Sequence, residues 1–193
     1  MKKIELQLAM DGAATRTLDQ AMEIIDRVAP YLDIIEIGTS FVLRYGMEPV
    51  SRVKAAHPDK KILADMKVMD GGYHTCGLGC KAGGDIVTVL GVSDHGTIQN
   101  ATKAAHDYGK QIMVDLICVK DVAETIAFCE EIGTDYICVH TGVDMQAQGK
   151  DPLDALKEAL ALVKNCKVSV AGGINEDTIE GICRLGPDAV IVG

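Results

Sequence analysis

The stretch KILADMKVMD, residues Lys61 to Asp70, places two carboxylates and an ammonium group directly after an apolar run. The apolar run predicts a buried strand. In a strand, Asp65 and Lys67 share one face because they are two residues apart. Charges at the end of a buried strand need partners, since burying an uncompensated charge is costly. The stretch therefore indicates either a structural ion-pair cluster or a reaction site.

Similar apolar runs recur along the chain, and helical patterns separate them. Six of these runs end near residues 11, 36, 65, 90, 115 and 140, in steps of 25, 29, 25, 25 and 25 residues, and two more end near Ala171 and Val192. Eight strand-helix units of this length predict an α/β protein with one (β/α)8 TIM-barrel domain over residues 1–193, lacking the final loop and helix. An open doubly wound sheet is the alternative, but no G-x-G-x-x-G follows the first strand.

The composition narrows the classes of partner. Hydrophobic residues make up 48% of the 193 residues, and the formal net charge is -9. This charge argues against nucleic acid or an anionic membrane surface as a partner, whereas a few local donors can still bind a small anionic substrate. The amino terminus leads straight into a strand pattern, so we expect no signal peptide. No apolar run approaches the roughly 20 residues of a membrane helix.

Seven cysteines, at positions 76, 80, 118, 129, 138, 166 and 183, form no C-x-x-C pair. An odd count at irregular spacing predicts reduced thiols in a cytoplasmic protein. Cys76 and Cys80 are four residues apart with His74 nearby, which leaves a metal site open. The competing interpretation is that both are small, buried helix residues.

In a barrel of this type the carboxyl ends of the strands meet at one mouth, where active sites are built. The chemically active residues near predicted strand ends are Asp11, Glu36, Asp65, Lys67, Asp70, Asp115 and His140. Several carboxylates in one mouth repel one another unless a cation is present, and oxygen ligands favour Mg²⁺ or Mn²⁺ over zinc. His140 is a candidate acid/base group, with a satisfied polar residue as the alternative.

Gly172 and Gly173 follow the seventh predicted strand. Glycines expose backbone N–H groups, and a helix predicted to begin near Asn175 would offer its positive end, so the pair is a candidate phosphate cradle. A tight turn explains the two glycines equally well.

The motifs resemble those of a known superfamily. Asp65-x-Lys67-x-x-Asp70 after the third strand resembles the D-x-K-x-x-D motif of the orotidine 5'-monophosphate decarboxylase superfamily. Within that superfamily, essentially the whole chain resembles the 3-hexulose-6-phosphate synthase family. The matching segments are residues 6–11, 34–39, 63–73, 136–142 and 171–174.

The resemblance implies a metal-dependent aldolase that joins formaldehyde to ribulose 5-phosphate. By analogy, Glu36 and Asp65 would help hold Mg²⁺, while the metal and Lys67 would stabilise an enediolate. His140 would move the proton at C1, and Asp11 would contact the substrate and order Lys67.

The resemblance also implies a role for Asp70. Asp70 would reach into the site of a neighbouring subunit, which implies a homodimer with active sites at the interface. Asp115, Gly172 and Gly173 complete the candidate substrate-binding set.

Three alternatives stay open. The related 3-keto-L-gulonate-6-phosphate decarboxylases carry an arginine where this chain has Val143, so the synthase is favoured on that one position. Lys67 could instead form an imine with the ketose, although flanking Asp65 and Asp70 should keep its ammonium charged. A non-catalytic, phosphosugar-binding barrel is the third.

Overall fold

The computed structural model describes residues 2–11, 17–142 and 152–193. Eight parallel strands form a closed barrel in which consecutive strands are neighbours and the last strand pairs with the first, Glu5 lying opposite Ala189. The predicted barrel is confirmed, and the open sheet is excluded. The strands are β1 (Glu5–Met10), β2 (Ile34–Ile37), β3 (Lys61–Val68), β4 (Ile86–Leu90), β5 (Gln111–Asp115), β6 (Tyr136–His140), β7 (Lys167–Ala171) and β8 (Ala189–Val192).

Helices connect successive strands. The helix after β1 begins where the Thr17 side chain accepts the Gln20 N–H, as expected for an N-cap residue. The helices are α1 (Leu18–Val28), α2 (Thr39–Tyr45), α3 (Glu48–Ala56), α4 (Gly72–Lys81), α5 (His95–Asp107), α6 (Val122–Ile132), α7 (Pro152–Leu162) and α8 (Ile179–Leu185), with a short 3-10 helix at Ala29–Tyr31. None of the described helices is long and apolar enough to cross a membrane.

Alternation along the strands divides the core into an inside and an outside. One apolar cluster fills the barrel interior and comprises Ala9, Ile34, Leu63, Ile86, Met113, Tyr136, Cys138, Ala171 and Ile191. The other strand face packs against the helices in two further clusters, where β-strand residues such as Val87 and Val114 meet helix residues such as Ile98. The strands are therefore buried on both faces, as in other parallel barrels.

Cys76 and Cys80 lie on α4, and both are buried. Burial raises the pKa of the Cys76 thiol to about 12, which keeps it protonated at neutral pH. His74 is exposed on the same helix. These contacts support the interpretation of the two cysteines as small, buried helix residues.

Four aspartates fasten the end of the barrel where the strands begin. Each one directly precedes β2, β4, β6 or β8, and its carboxylate accepts the backbone N–H of the second residue of the preceding odd-numbered strand. The four bonds are Leu6 to Asp33 (3.0 Å), Ile62 to Asp85 (3.0 Å), Ile112 to Asp135 (2.9 Å) and Val168 to Asp188 (2.9 Å). The carboxylates thus fix the register of four strand pairs in the same way.

Asp85 shows how such a carboxylate is kept charged. Its two oxygens accept hydrogen bonds from Lys54 and Lys110, both at 2.8 Å. Partial burial acts to raise the pKa of Asp85, but the two lysines and the Ile62 N–H outweigh it and hold the pKa below its usual value. The ion pairs therefore contribute stability above the pKa of the unfolded chain, and that contribution is lost as the pH falls through the folded-state pKa.

We expect Asp85→Asn to lower the free energy of unfolding at pH 7 by about 1–3 kcal/mol, because the amide can accept the Ile62 N–H but cannot pair with two lysines. Denaturant unfolding at pH 7 and near pH 3 measures this, and the loss should shrink at the lower pH. The control is Asp59→Asn, at an exposed carboxylate 3.6 Å from Lys60. An equal loss in both variants at pH 7 would contradict the expectation.

Candidate active site

The carboxyl ends of five strands bring six of the seven predicted mouth residues together. Asp11 follows β1, Glu36 lies in β2, Asp65 and Lys67 in β3, Asp115 at the end of β5 and His140 at the end of β6. Electrostatic or hydrogen-bond interactions connect each of the six to at least one of the others. Asp70 is not part of this group.

The third strand bulges where it enters the mouth. Ala64 lies opposite Val87 and Val68 lies opposite Val89, so three residues of β3 face Thr88 alone. Lys67 has a φ of 43°, a left-handed value that is uncommon for a residue with a side chain. The bulge directs Asp65 and Lys67 into the mouth, where the Lys67 Nζ donates to Asp65 Oδ2 at 2.6 Å.

Lys67 is held as a cation. Burial acts to lower its pKa, but the negative charges of Asp65 and Asp115 outweigh burial and raise the pKa above its usual value. The Asp115 carboxylate lies 3.5 Å from the Lys67 Nζ. The second carboxylate beside Lys67 is therefore Asp115. The sequence had predicted Asp70 at this place, but the chain turns outward after Val68.

Asp70 lies on the exposed rim of the mouth. Its Oδ1 accepts the N–H of the next residue, Gly71, at 2.7 Å. Met69 and Tyr73 beside it are 54% and 43% exposed, so apolar surface accompanies this carboxylate.

Asp115 also orients His140. Its Oδ2 lies 2.8 Å from the His140 Nδ1, and its Oδ1 accepts the Ile117 N–H at 2.9 Å. Burial acts to raise the pKa of Asp115, but His140, Lys67 and the Ile117 N–H together hold the pKa below its usual value. A charged Asp115 favours a proton on Nδ1 of His140, which leaves Nε2 as the basic nitrogen.

Glu36 is a buried acid whose hydrogen bond comes from a neutral amide. Its Oε2 accepts from the Gln7 Nε2 at 2.6 Å. Burial and the nearby charge of Asp65 raise the pKa of Glu36 to about 8. Gln7 Oε1 is buried without a hydrogen-bond partner among the described residues. This side of the mouth is thus rich in oxygen atoms and short of positive charge.

Those oxygens fit a hard divalent cation, which would relieve the repulsion between Glu36 and Asp65. Within residues 2–11, 17–142 and 152–193, no three His, Cys, Asp or Glu side chains form a ready ligand set. Mg²⁺ commonly takes only one or two carboxylates and keeps several waters, so the pair Glu36 and Asp65 is a sufficient candidate.

Asp11 depends on a glycine. A Cβ added to Gly38 would lie 2.1 Å from Asp11 Oδ1, so the carboxylate occupies the space that any side chain at Gly38 would need. Burial and the charge of Asp65 raise the pKa of Asp11, while Lys67 and a hydrogen bond from Ser40 lower it. The close approach to Gly38 holds Asp11 toward the other mouth residues.

The Gly172-Gly173 pair lies directly after β7, with φ values of 99° and 70° that favour glycine. The following helix begins at Ile179, whereas the sequence predicted a start near Asn175. The Asn175 Oδ1 accepts the N–H groups of Asp177 and Thr178, and the Asn175 carbonyl accepts the N–H groups of Thr178 and Ile179, so residues 175–178 form a capped turn that leads into the helix. The glycines remain candidates through their own backbone N–H groups.

Three residues of the site were not predicted from the sequence. Thr39 donates to Asp65 Oδ2 at 2.6 Å, Thr88 donates to Asp65 Oδ1 at 2.8 Å, and Gln7 holds Glu36. Each is a polar residue within or next to an apolar strand run, which was the available signal. The strand register that gives them their partners could not be deduced from one sequence.

Residues 5–193 match the model of the orotidine 5'-phosphate decarboxylase / HUMPS family. A 3-hexulose-6-phosphate synthase of Bacillus subtilis (strain 168) is 43% identical over 190 residues, covering 98% of this chain and 89% of that protein.

Solved structures agree. The crystal structure of 3-hexulose-6-phosphate synthase from Salmonella typhimurium superposes with a TM-score of 0.94 at 45% identity, covering 98% of this chain and 89% of that one. A 3-keto-L-gulonate-6-phosphate decarboxylase from Vibrio cholerae superposes at 0.87 with only 26% identity, covering 100% of this chain and 89% of that one. The chain therefore belongs to the orotidine 5'-phosphate decarboxylase / HUMPS family.

Proposed function

We propose that this protein is a 3-hexulose-6-phosphate synthase, an aldehyde-lyase that condenses formaldehyde with D-ribulose 5-phosphate through an enediolate. The observation that carries the proposal is the contact set of Asp115, which joins a lysine cation at 3.5 Å to a histidine at 2.8 Å. An enediolate reaction needs these two functions side by side, a base for a C–H proton and a fixed positive charge for the oxygen anion that results.

The chain's own residues account for the proton and charge movements. His140, oriented by Asp115, removes the proton from C1 of ribulose 5-phosphate. The electron pair moves between C1 and C2, and negative charge develops on the C2 oxygen, next to the Lys67 ammonium. C1 then attacks the formaldehyde carbon to form the new C–C bond while the C2 carbonyl re-forms. The formaldehyde π pair moves to its oxygen, which takes the proton that His140 removed. Asp11 contacts the sugar and helps to order Lys67.

Glu36 and Asp65 are the residues that would hold Mg²⁺, with Mn²⁺ as an alternative. Bound there, the ion would supply positive charge to the ketose oxygens. The oxygen-rich, cation-poor surroundings of Glu36 support this placement.

We place both phosphate binding and the contact with a partner subunit at the rim of the mouth. Gly172 and Gly173 would present backbone N–H groups to the phosphate. Asp70 would complete the site of a second subunit in a homodimer, and its exposure beside Met69 and Tyr73 supports an interface at this rim. We place the enzyme in the cytoplasm.

Decarboxylation of 3-keto-L-gulonate 6-phosphate is the second candidate, because it passes through a similar enediolate. Val143, the residue that favours the synthase, lies outside the described residues. The higher identity to synthases, 43–45% against 26%, supports the same choice. An imine on Lys67 is disfavoured because Asp65 and Asp115 keep the amine protonated.

We expect formaldehyde consumption with ribulose 5-phosphate and Mg²⁺ to exceed carbon dioxide release from 3-keto-L-gulonate 6-phosphate under the same conditions. Parallel initial-rate assays measure both, with a chelator as the metal control. Faster carbon dioxide release would make the protein a decarboxylase. Activity that survives the chelator, together with borohydride trapping of the sugar on Lys67, would contradict the metal-dependent mechanism.

We expect His140→Ala to lower kcat by about 10²–10⁴, the usual contribution of a positioned acid/base group, and to leave metal binding intact. Steady-state kinetics give kcat, and the metal-induced rise in melting temperature reports binding. His95→Ala, at a partly exposed histidine on α5, is the control. Loss of both activity and metal binding in His140→Ala would assign His140 a structural role.

We expect Gly38→Ala to lower kcat/KM by about 10²-fold, because the new methyl group would lie 2.1 Å from Asp11 Oδ1 and 2.8 Å from the Met10 carbonyl oxygen and would displace Asp11 by the order of 1 Å. The backbone of Gly38, at φ -63° and ψ 157°, accepts alanine, so the effect is steric. Gly181→Ala is the matched control, since its Cβ would meet nothing within 4 Å. Full activity in Gly38→Ala would show that Asp11 does not need this position.

A further inference from the structure

Thr88 occupies a special place in the barrel, directly opposite the bulge of β3. It is the only residue between Val87 and Val89, the two β4 residues that pair across the bulge with Ala64 and Val68. Its side chain points into the barrel and is 3% exposed. A bulge leaves backbone groups without ladder partners, so some other group has to satisfy them.

The Thr88 hydroxyl does this for the bulge and at the same time contacts the site. It accepts the backbone N–H of Lys67 at 2.9 Å, and it donates its single proton to Asp65 Oδ1 at 2.8 Å. One oxygen atom therefore joins the backbone of the site's lysine to the side chain of the carboxylate that the lysine pairs with.

The Lys67 backbone needs such a restraint. Its φ of 43° lies in the left-handed region, which is unfavourable for a residue with a side chain. A left-handed residue in a strand persists only where its surroundings hold it. Of the bonds to the bulge, the Lys67 N–H bond to Thr88 acts directly on that peptide.

We propose that Thr88 is a positioning residue for the reaction, which holds the strained Lys67 backbone and the Asp65 carboxylate in one fixed geometry. The proposal rests on the proposed aldolase function for its kinetic consequences. The Thr88 hydroxyl bonds to Lys67 and Asp65, and it acts through these two residues.

With this role, loss of the Thr88 hydroxyl should affect kcat much more than KM. Removing the hydroxyl frees the Lys67 turn and lets the ammonium move away from the oxygen on which charge develops. That charge exists in the transition state and not in the bound ketose, so the loss falls on kcat. The candidate phosphate cradle after β7 lies on another strand, so KM for ribulose 5-phosphate should change little.

Three variants test the proposal. Thr88→Val keeps the shape and removes the hydroxyl, whereas Thr88→Ser keeps the hydroxyl. Thr102→Val is the matched control, because Thr102 is also 3% exposed but donates to the Ile98 carbonyl within α5. Each variant is characterised by steady-state kinetics, by melting temperature and by hydrogen exchange of the Lys67 amide.

We expect Thr88→Val to lower kcat by about 10- to 100-fold with KM within about threefold, and to speed exchange of the Lys67 amide by about tenfold. Thr88→Ser should recover kcat to within about threefold of the original chain. Thr102→Val should leave kcat unchanged.

The proposal is overturned if Thr88→Val keeps full kcat in an active enzyme, or if Thr102→Val loses as much kcat. It is also overturned if the exchange of the Lys67 amide is the same with and without the hydroxyl. An inactive original chain would refute the aldolase function instead, and the exchange measurement would still decide whether Thr88 restrains Lys67.

Discussion

Charge balance in the barrel mouth is the constraint on which the site depends. Four carboxylates, from Asp11, Glu36, Asp65 and Asp115, face the ammonium of Lys67. The cationic partners are unevenly shared. Lys67 and the hydrogen bond to His140 hold the pKa of Asp115 low, whereas burial and repulsion raise the pKa of Glu36 and Asp11. Asp115 therefore stays charged beside its cationic partners, whereas Glu36 and Asp11 lie where oxygen atoms outnumber positive charges.

The two ends of the barrel use carboxylates in opposite ways. At the end where strands begin, Asp33 and Asp85 each accept a strand N–H and pair with lysine, so their pKa values are lowered and their charge is fully compensated. At the mouth, compensation is incomplete. Carboxylates whose charge is compensated by lysine and backbone N–H groups stabilise the fold. Carboxylates with incomplete compensation can interact with a substrate or a cation.

Much of this architecture could be predicted because strand alternation and the 25-residue spacing of the strands can both be read directly from the sequence. The sequence therefore predicted the barrel, its mouth and the convergence of Asp11, Glu36, Asp65, Lys67, Asp115 and His140. Details that depend on register between strands were beyond it. Asp70 lies on the exposed rim after the end of β3, and Asp115 from β5 is the second carboxylate beside Lys67.

The other differences depend on particular hydrogen bonds. The Asn175 side chain and carbonyl cap a turn over residues 175–178, and the regular helix after β7 starts at Ile179, later than its composition predicted. Thr39 and Thr88 belong to the site because both donate to the Asp65 carboxylate, which lies 26 and 23 residues away from them in sequence. Hydroxyl groups carry no periodic signal, and only the assembled barrel shows which of them act on the site.

The pairing of β1 with β8 has a kinetic consequence. Residues 5–8 hydrogen-bond with residues 189–192, so the first strand keeps an open edge until the last strand has joined it. The ladder cannot close in stages, because no shorter series of units has both edges covered. Such non-local closure slows folding and ties it to nearly the whole chain. During synthesis, intermediates would expose a β1 edge that other chains could pair with, so protection of nascent chains matters most before β8 appears.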